Sequence, residues 1–250
     1  MTFKEILVLN DAKVQTMYGN AVAGKIWIAL RPVVQLLFIC LVFNNVIVIN
    51  QDNHGAFIMY GFLLLTFINM SLMSSVTCIF DNRSIISRFK IKSNFFPIAN
   101  IFHNLYLLIF CFIACALIIA LFAHLPIHVN MIFAPFYFAY IVIVLFLVCA
   151  SVAIIYPYFQ DIKFLLEVSC MVSLWATPIF YPISQMPGWM FKISYFNPFF
   201  ILIVPFVRLM HEGSLPTTSM HASMLGLLVV SLIVYIIAQK KLAKNVIYYC

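Results

Sequence analysis

Long stretches without any charged side chain set the strongest limit on what this sequence can fold into. Residues 32–51, 53–80 and 93–160 contain no Asp, Glu, Lys or Arg. A helix that crosses the hydrocarbon core of a bilayer needs ~20 predominantly apolar residues, and the third stretch is long enough for two such helices. The sequence therefore predicts an all-α, multi-span integral membrane protein.

The composition leads to the same conclusion. Of the 250 residues, 65% are hydrophobic and 8% are charged, whereas a soluble domain carries about 25% charged residues. So few charges cannot cover a water-facing surface, and lipid must be the main solvent of the chain. The net charge of +7 is carried by loops beside apolar stretches, which is typical of membrane proteins and argues against a nucleic-acid partner.

Six spans are predicted within a single membrane domain of residues 1–250. The spans are residues 27–51, 55–80, 96–123, 131–156, 164–181 and 215–239. A seventh apolar stretch, 193–207, has 15 residues and contains Pro198 and Pro205, so it is too short and too proline-rich for a regular span. We interpret residues 182–208 as a re-entrant hairpin on the outer face, where irregular backbone needs cover from protein or a water-filled cavity.

The basic residues give the predicted orientation. With six spans, twelve of the fourteen Lys and Arg residues lie on one side of the bilayer, and only Lys192 and Arg208 lie on the other. Basic loops face the cytoplasm, so both ends of the chain are predicted to be cytoplasmic. Residues 1–26 alternate apolar and polar side chains, which favours a helix lying in the cytoplasmic interface; a partly ordered tail is the alternative.

One cytoplasmic loop, residues 81–92, mixes basic and apolar side chains. Its basic residues include Arg83, Arg88 and Lys90, and its apolar residues include Ile85, Ile86 and Phe89. A loop that only obeys the charge rule would not need those apolar side chains. The pattern predicts a short amphipathic helix that docks either lipid headgroups or a partner protein.

The sequence offers little for catalysis or cofactor binding. Residues 19–26 nearly match the phosphate-binding pattern GxxxxGK[ST], but Ile26 stands where the pattern needs a hydroxyl to hold magnesium. Glu167 is the one acidic residue near a membrane interior, and Lys163, four residues earlier, is a sufficient partner for it. The histidines and cysteines lack metal-ligand spacing. We therefore expect a chain that is not an enzyme and binds no cofactor or metal.

Aromatic residues make up 16% of the chain. Most of them are explained as lipid-facing bulk and interfacial belts. Others are candidates for lining a translocation path, because an aromatic ring presents an apolar face to the C–H groups of a sugar. The sequence alone does not separate the two roles.

Four segments resemble the membrane subunit of ABC type-2 exporters, especially the polysaccharide-export branch with its O-antigen, capsule and teichoic acid permeases. They are residues 18–32, residues 158–167, residues 175–187 with the run Thr-Pro-Ile-Phe-Tyr-Pro, and residues 195–198 with the run Tyr-Phe-Asn-Pro. The last two are the more specific. The sequence departs from the family pattern at Gln160, where Arg is usual, and at Ala21 or Val22, where Ser is usual.

The resemblance implies a homodimer of this chain that works with two copies of a separate ABC ATPase, which holds the ATP and Mg²⁺. The N-terminal helix and the 81–92 loop would contact that ATPase, the loop through Arg83, Ile85, Ile86, Arg88, Phe89 and Lys90. Spans one and five would line the channel, and the hairpin 182–208 would shape its exit. The candidate path and exit residues are Phe38, Trp175, Phe180, Tyr181, Trp189 and Tyr195. The implied substrate is a lipid-linked polysaccharide that crosses the bacterial inner membrane.

Two other interpretations stay open at this point. An ABC type-2 permease for a drug, a peptide or a lipid would have the same fold. A membrane-embedded enzyme or an ion-coupled carrier would need deep acidic residues or a histidine cluster, which the sequence does not show.

Overall fold

The backbone of a lipid-embedded chain has no water to bond with, so each crossing segment must satisfy its own N–H and C=O groups, as a helix does. The computed structural model describes residues 26–45, 54–89, 94–122, 128–243 and 246. These residues form helices and short connections, with no strand among them, and the all-α fold is confirmed. The predicted interfacial helix 1–26 lies outside the described residues except for Ile26.

The described part of the chain has ten α-helices. They are α1 (Ile26–Asn45), α2 (His54–Val76), α3 (Cys78–Asp81), α4 (Arg83–Phe89), α5 (Phe95–Phe122), α6 (Ala134–Ile155), α7 (Ile162–Ala176), α8 (Gly188–Ser194), α9 (Pro198–Glu212) and α10 (Thr218–Lys241). Short 3-10 helices at Val129–Phe133 and Ile183–Gln185 precede α6 and α8.

Four helical segments of the described ranges are long and apolar enough to cross a membrane. They are Gly55–Val76, Phe95–Leu117, Val129–Ile155 and Thr218–Lys241, and they correspond to the predicted spans 55–80, 96–123, 131–156 and 215–239. The pair α8 and α9 passes the same test as a unit, but its two helices are bent by 101°, which fits a broken span or a re-entrant loop. The described ranges thus contain four candidate spans, or five with the bent pair. The total of six, the orientation and the re-entrant course stay predictions.

The other two predicted spans correspond to shorter helices. α1 has 20 residues, and residues 46–51 of the predicted first span lie outside the described part of the chain. α7 has 15 residues, a length of about 22 Å at 1.5 Å per residue. It ends at Ala176, before the predicted end at residue 181. Thr177 is extended, with φ −108° and ψ 133°, because a proline such as Pro178 disfavours the helical conformation in the residue before it.

Helix α2 is the centre of the bundle. It packs against α1, α5, α6, α7 and α9, and side chains on all of its faces are buried, including Phe62, Leu65 and Ile68. This burial follows from the sequence of α2, since a helix that is apolar all round is buried all round. Gly61 permits the close approach of the segment after α7, because a Cβ at residue 61 would lie 3.0 Å from Cγ2 of Ile179.

One end of the bundle is the histidine end, where the N-terminal ends of α2, α6 and α10 meet the C-terminal end of α9. His128, His211 and His221 lie there. The Asn130 amide donates to the Gly213 carbonyl over 2.6 Å, and Nε2 of His128 lies 3.0 Å from the carbonyl oxygen of His211. These bonds join the segment before α6 to the end of α9.

The opposite end is the basic end, where the C-terminal ends of α2, α6 and α10 meet the N-terminal ends of α5 and α7 and the short helices α3 and α4. The described basic residues of this end include Arg83, Arg88, Lys163, Lys240 and Lys241. The two basic residues predicted to face outward, Lys192 and Arg208, belong instead to α8 and α9. The orientation of these two groups of charges relative to the membrane stays a prediction.

Candidate functional site

The basic end carries the short helix that the sequence predicts in the loop 81–92. Helix α4 starts after Asn82, whose carbonyl oxygen accepts the N–H groups of Ile85 and Ile86, each over 3.0 Å. The Asn82 side chain donates to the carbonyl of Cys78 over 2.8 Å. These bonds join α4 to α3 and so fix the loop to the end of α2.

Ile86 anchors α4 to the bundle. Its side chain is 2% exposed and belongs to a small apolar cluster with Ile79, Phe95 and Ile154. The sequence grouped Ile86 with the residues that would contact a partner, but the structure turns it towards the core. Its burial holds the rest of α4 in place.

The outward face of α4 carries the remaining predicted contact residues that the structure describes. Arg83 and Arg88 are exposed, and Ile85 is 40% exposed. The Arg83 guanidinium carbon lies 5.3 Å from the centre of the Phe80 ring, a cation–π arrangement that supports the side chain. The side chain of Phe89 and all of Lys90 lie outside the described residues. The face thus offers two cations beside an apolar side chain, a surface suited to an acidic partner with an apolar pocket.

A hydrogen-bond network joins the start of α5 and the end of α6 to α10. The Asn94 amide donates to the Tyr235 hydroxyl over 2.7 Å, and the Gln239 amide donates to Oδ1 of Asn94. The Tyr158 hydroxyl donates to the Leu242 carbonyl over 2.8 Å. None of these residues is among the predicted site residues, although Tyr235 and Gln239, four residues apart at the end of an apolar helix, share one helix face.

Polar side chains also cross-link the helices just inside the basic end. The Asn104 amide lies 3.2 Å from Oγ of Ser71 and 3.1 Å from Oγ of Ser74, and the Asn100 amide donates to the Ser74 carbonyl over 2.6 Å. The Cys149 thiol lies 3.4 Å from the Ser71 carbonyl. In an apolar surrounding such bonds hold neighbouring helices in one register. Helices α2, α5 and α6 are therefore tied together directly behind α4.

The predicted path residues of the 175–187 segment have different surroundings. Trp175 is 66% exposed, whereas Phe180 is 5% exposed and packs in the main core. The Trp175 and Phe180 rings lie 6.1 Å apart, and the Tyr181 hydroxyl donates to the Trp175 carbonyl over 3.0 Å. The structure brings these three residues together, but only Trp175 presents most of its side chain to the outside.

The other three predicted path residues also differ in exposure. Phe38 in α1 and Trp189 in α8 are each 68% exposed. Tyr195 is half-buried, and its ring contacts Phe191 and Phe200 with centroids 5.3 and 5.9 Å apart. Tyr195 therefore stabilises the bent pair α8–α9.

Asn197 joins the two segments that carry the more specific resemblance. Its Oδ1 accepts the N–H of Phe199 over 3.0 Å and so caps the N-terminus of α9. Its amide nitrogen lies 3.4 Å from the carbonyl oxygen of Ala176, the last residue of α7. The chain thus leaves α7 at Ala176 and returns to it at Asn197, so residues 177–196 form a closed excursion.

Helix α7 exposes most of its apolar surface. Its large exposed side chains are Phe164, Leu165, Val168, Met171, Val172 and Trp175. Ser173 is the one buried side chain of this helix. Because so large an apolar face is unsuited to water, α7 must face lipid or a second protein surface.

The described residues contain no group of three or more His, Cys, Asp or Glu side chains that could hold a metal ion. A family profile described as ABC-2 type transporter matches residues 4–211 of the chain. A comparison with curated protein sequences gives no match.

Proposed function

Since the chain belongs to the ABC-2 type transporter family, we propose that it is the permease subunit that exports a lipid-linked polysaccharide across the bacterial inner membrane. Membership gives the coarser statement directly: the chain is a multi-pass membrane component of an ABC exporter, and a separate subunit hydrolyses the ATP. The substrate, the membrane and the stoichiometry are the parts that we propose.

One observation carries the choice of substrate. The segments 175–187 and 195–198, which resemble the polysaccharide-export branch, meet in the fold where Asn197 lies against Ala176. The neighbouring Trp175 ring is exposed at this junction. An exposed aromatic ring offers an apolar face to sugar C–H groups without strong directional bonds, as a path for a long glycan requires.

The basic end is the proposed site of coupling to the ATPase. Arg83, Ile85 and Arg88 of α4 face outward, and Ile86 fixes α4 to the bundle. A displacement of α4 by a closing ATPase dimer would pass through the apolar cluster of Ile86 and Phe95 to the start of α5, where Asn94 bonds to α10, and through α3 to α2. ATP-driven closure would then shift the membrane part between two states.

We propose that the exporter contains two copies of this chain and two ATPase subunits. The exposed apolar face of α7, together with the exposed Phe38 side of α1, supports this arrangement, because a channel between two copies would be lined by these faces.

The test is reconstitution of the chain with its ABC ATPase in liposomes that contain a fluorescent lipid-linked oligosaccharide. We expect ATP-dependent movement of the glycan into the lumen, seen as protection from added glycosidase. The Trp175→Ala variant should lower the rate several-fold with unchanged insertion. The control is Phe136→Ala, another exposed aromatic, which lies at the start of α6 and should leave the rate unchanged.

Other outcomes would contradict the proposal in distinct ways. ATP-driven movement of a small drug or free lipid with no movement of glycan would favour the alternative ABC permease. Movement driven by a pH gradient without ATP would favour an ion-coupled carrier.

A further inference from the structure

A cavity of about 460 Å³ separates α7 from the rest of the bundle. Its walls come from α2, α6, α7, α9 and α10, and its apolar lining includes Ile68, Leu72, Val144, Val148, Leu202 and Leu227. Val144 and Leu227 stand near the middle of the 22-residue α6 and the 24-residue α10. The cavity therefore lies at mid-height in the bundle, away from both ends.

The polar side chains that line the cavity are already bonded to backbone groups. The Ser169 hydroxyl donates to the Leu165 carbonyl over 2.7 Å, and the Ser173 hydroxyl donates to the Cys170 carbonyl over 2.7 Å. Asn197 uses Oδ1 for the N-cap of α9 and its amide for the Ala176 carbonyl. The cavity thus presents no polar group that demands a ligand.

Water is a poor occupant of such a space. A buried water needs two to four polar partners, and cavities lined by aliphatic side chains stay dry and take up apolar molecules. The lining of this cavity is aliphatic apart from the two serines, whose hydroxyls bond their own helix, and Asn197. A hydrocarbon is the occupant that matches this chemistry.

The size of the cavity selects a chain rather than a helix. A helix about 10 Å wide fills roughly 120 Å³ per residue at 1.5 Å rise, so a volume of about 460 Å³ would hold only about one turn of a second copy. An apolar cavity of about 150 Å³ holds one benzene ring. Scaled from the six carbon atoms of benzene, this cavity has room for roughly 18 carbon atoms. One acyl chain of a phospholipid contains about that number.

The cavity is continuous with the outer surface of the helices. Val168 and Val172 line the cavity and are also exposed, so its mouth lies among apolar side chains that face away from the bundle. We propose that this cavity holds one acyl chain of a bilayer phospholipid, which enters beside α7. The site requires that lipid reaches this face of α7, including where the face borders the proposed channel between two copies, and it does not depend on which substrate the chain exports.

The test uses the full-length protein in liposomes of phosphatidylethanolamine and phosphatidylglycerol. A fraction of the phosphatidylethanolamine carries a diazirine midway along one acyl chain, and labelled residues are mapped after illumination. We expect labels on Leu72, Val144 and Val148. The Val148→Trp variant should lower labelling at Leu72 and Val144 by about tenfold or more, since each methylene group kept out of an apolar site weakens binding by a factor of roughly four.

The matched control is Ile143→Trp, which places the same indole on an exposed position of α6 outside the cavity lining and should leave the labels in place. Labels in the wild-type protein that are confined to exposed α10 residues such as Leu225 and Ile233 would overturn the proposal. This outcome does not depend on whether Val148→Trp folds. Stronger labelling by a diazirine isoprenyl phosphate would overturn the choice of a phospholipid. Loss of lipid labels together with a cross-link from a cavity residue to residues 1–25 or to a second copy would show that protein, and not lipid, fills the cavity.

Discussion

The two ends of the bundle hold their charged and polar side chains in different ways. At the histidine end, Nε of Arg208 lies 3.0 Å from the Glu212 carboxylate, and both ring nitrogens of His221 lie 3.0 Å from an oxygen of Tyr137 or Thr217. At the basic end, Arg88 is exposed on a helix that the buried Ile86 holds in place. A side chain bound within its own chain has less left for a partner, so a docked ATPase is expected at the basic end.

The largest effect is expected from reversing the charges of α4. Arg83→Glu with Arg88→Glu should weaken binding of the ATPase by about 3 kcal/mol, roughly a hundredfold, because like charges at an interface cost several kcal/mol. The measurement is the affinity between the purified subunits at fixed salt, together with ATP-driven transport.

The control for that variant is Arg208→Glu, which reverses a charge at the histidine end and should leave ATPase binding unchanged. An equal loss of ATPase binding in both variants, or full binding in the α4 variant, would contradict docking at the basic end.

The next effect concerns the anchor of α4. Ile86→Ala removes a side chain that is 2% exposed and should lower the free energy of unfolding by about 2–3 kcal/mol, seen as a lower thermal midpoint in detergent. The neighbouring Ile85→Ala, at an exposed position, should change it by about 0.5 kcal/mol or less. If the two variants lose the same stability, α4 is not anchored through Ile86.

A smaller loss is expected at the histidine end when Gly213 is replaced by alanine. Gly213 has φ +64°, and a Cβ there would lie 2.5 Å from Cγ of His128. The backbone strain and the displaced His128 ring should together cost about 2 kcal/mol of stability. Gly226→Ala is the matched control, since nothing lies within 4 Å of its added Cβ; a comparable loss there would show that the tight His128 contact is not the cause.

The smallest effect is expected from Asn94→Ala, which removes the bonds between the start of α5 and α10. Stability should fall by about 1 kcal/mol, while transport falls further than ATPase binding does, because the variant keeps the docking face on α4 but weakens the connection between α5 and α10 behind it. Asn130→Ala, which removes the bond to the Gly213 carbonyl at the histidine end, serves as the control. Transport and binding that fall in parallel would argue against a role of the network in transmission.

The sequence predicts most helices of the bundle, because long apolar runs have few other structures in lipid. It does not predict which of two adjacent isoleucines anchors α4. Residues 85 and 86 are both isoleucine, and their side chains point about 100° apart on a helix. Only the packing of α4 against the bundle decides which of the two is buried. Pro178 indicates the end of α7 in the sequence. The predicted span nevertheless extends to residue 181, because the apolar run continues past this proline.

Long-range polar pairs are the other part that the sequence did not supply. Asn197 and Ala176 are 21 residues apart, and Asn104 and Ser71 are 33 residues apart. Asn104 and Asn197 each stand inside or beside an apolar stretch of the sequence, and this position indicates that the side chain forms a buried hydrogen bond. Its partner is set by how the helices pack, and periodicity along one segment carries no information about that packing.

The most direct test of the central claim, that the basic end docks a separate ATPase, is site-specific photo-cross-linking in native membranes. A photoreactive amino acid is placed at Ser87 on the exposed side of α4 and, in a second variant, at the exposed Thr218 at the histidine end. We expect a cross-link to an ABC ATPase subunit from residue 87 and none from residue 218. A cross-link from residue 218, or none from residue 87 while the complex transports its substrate, would contradict it.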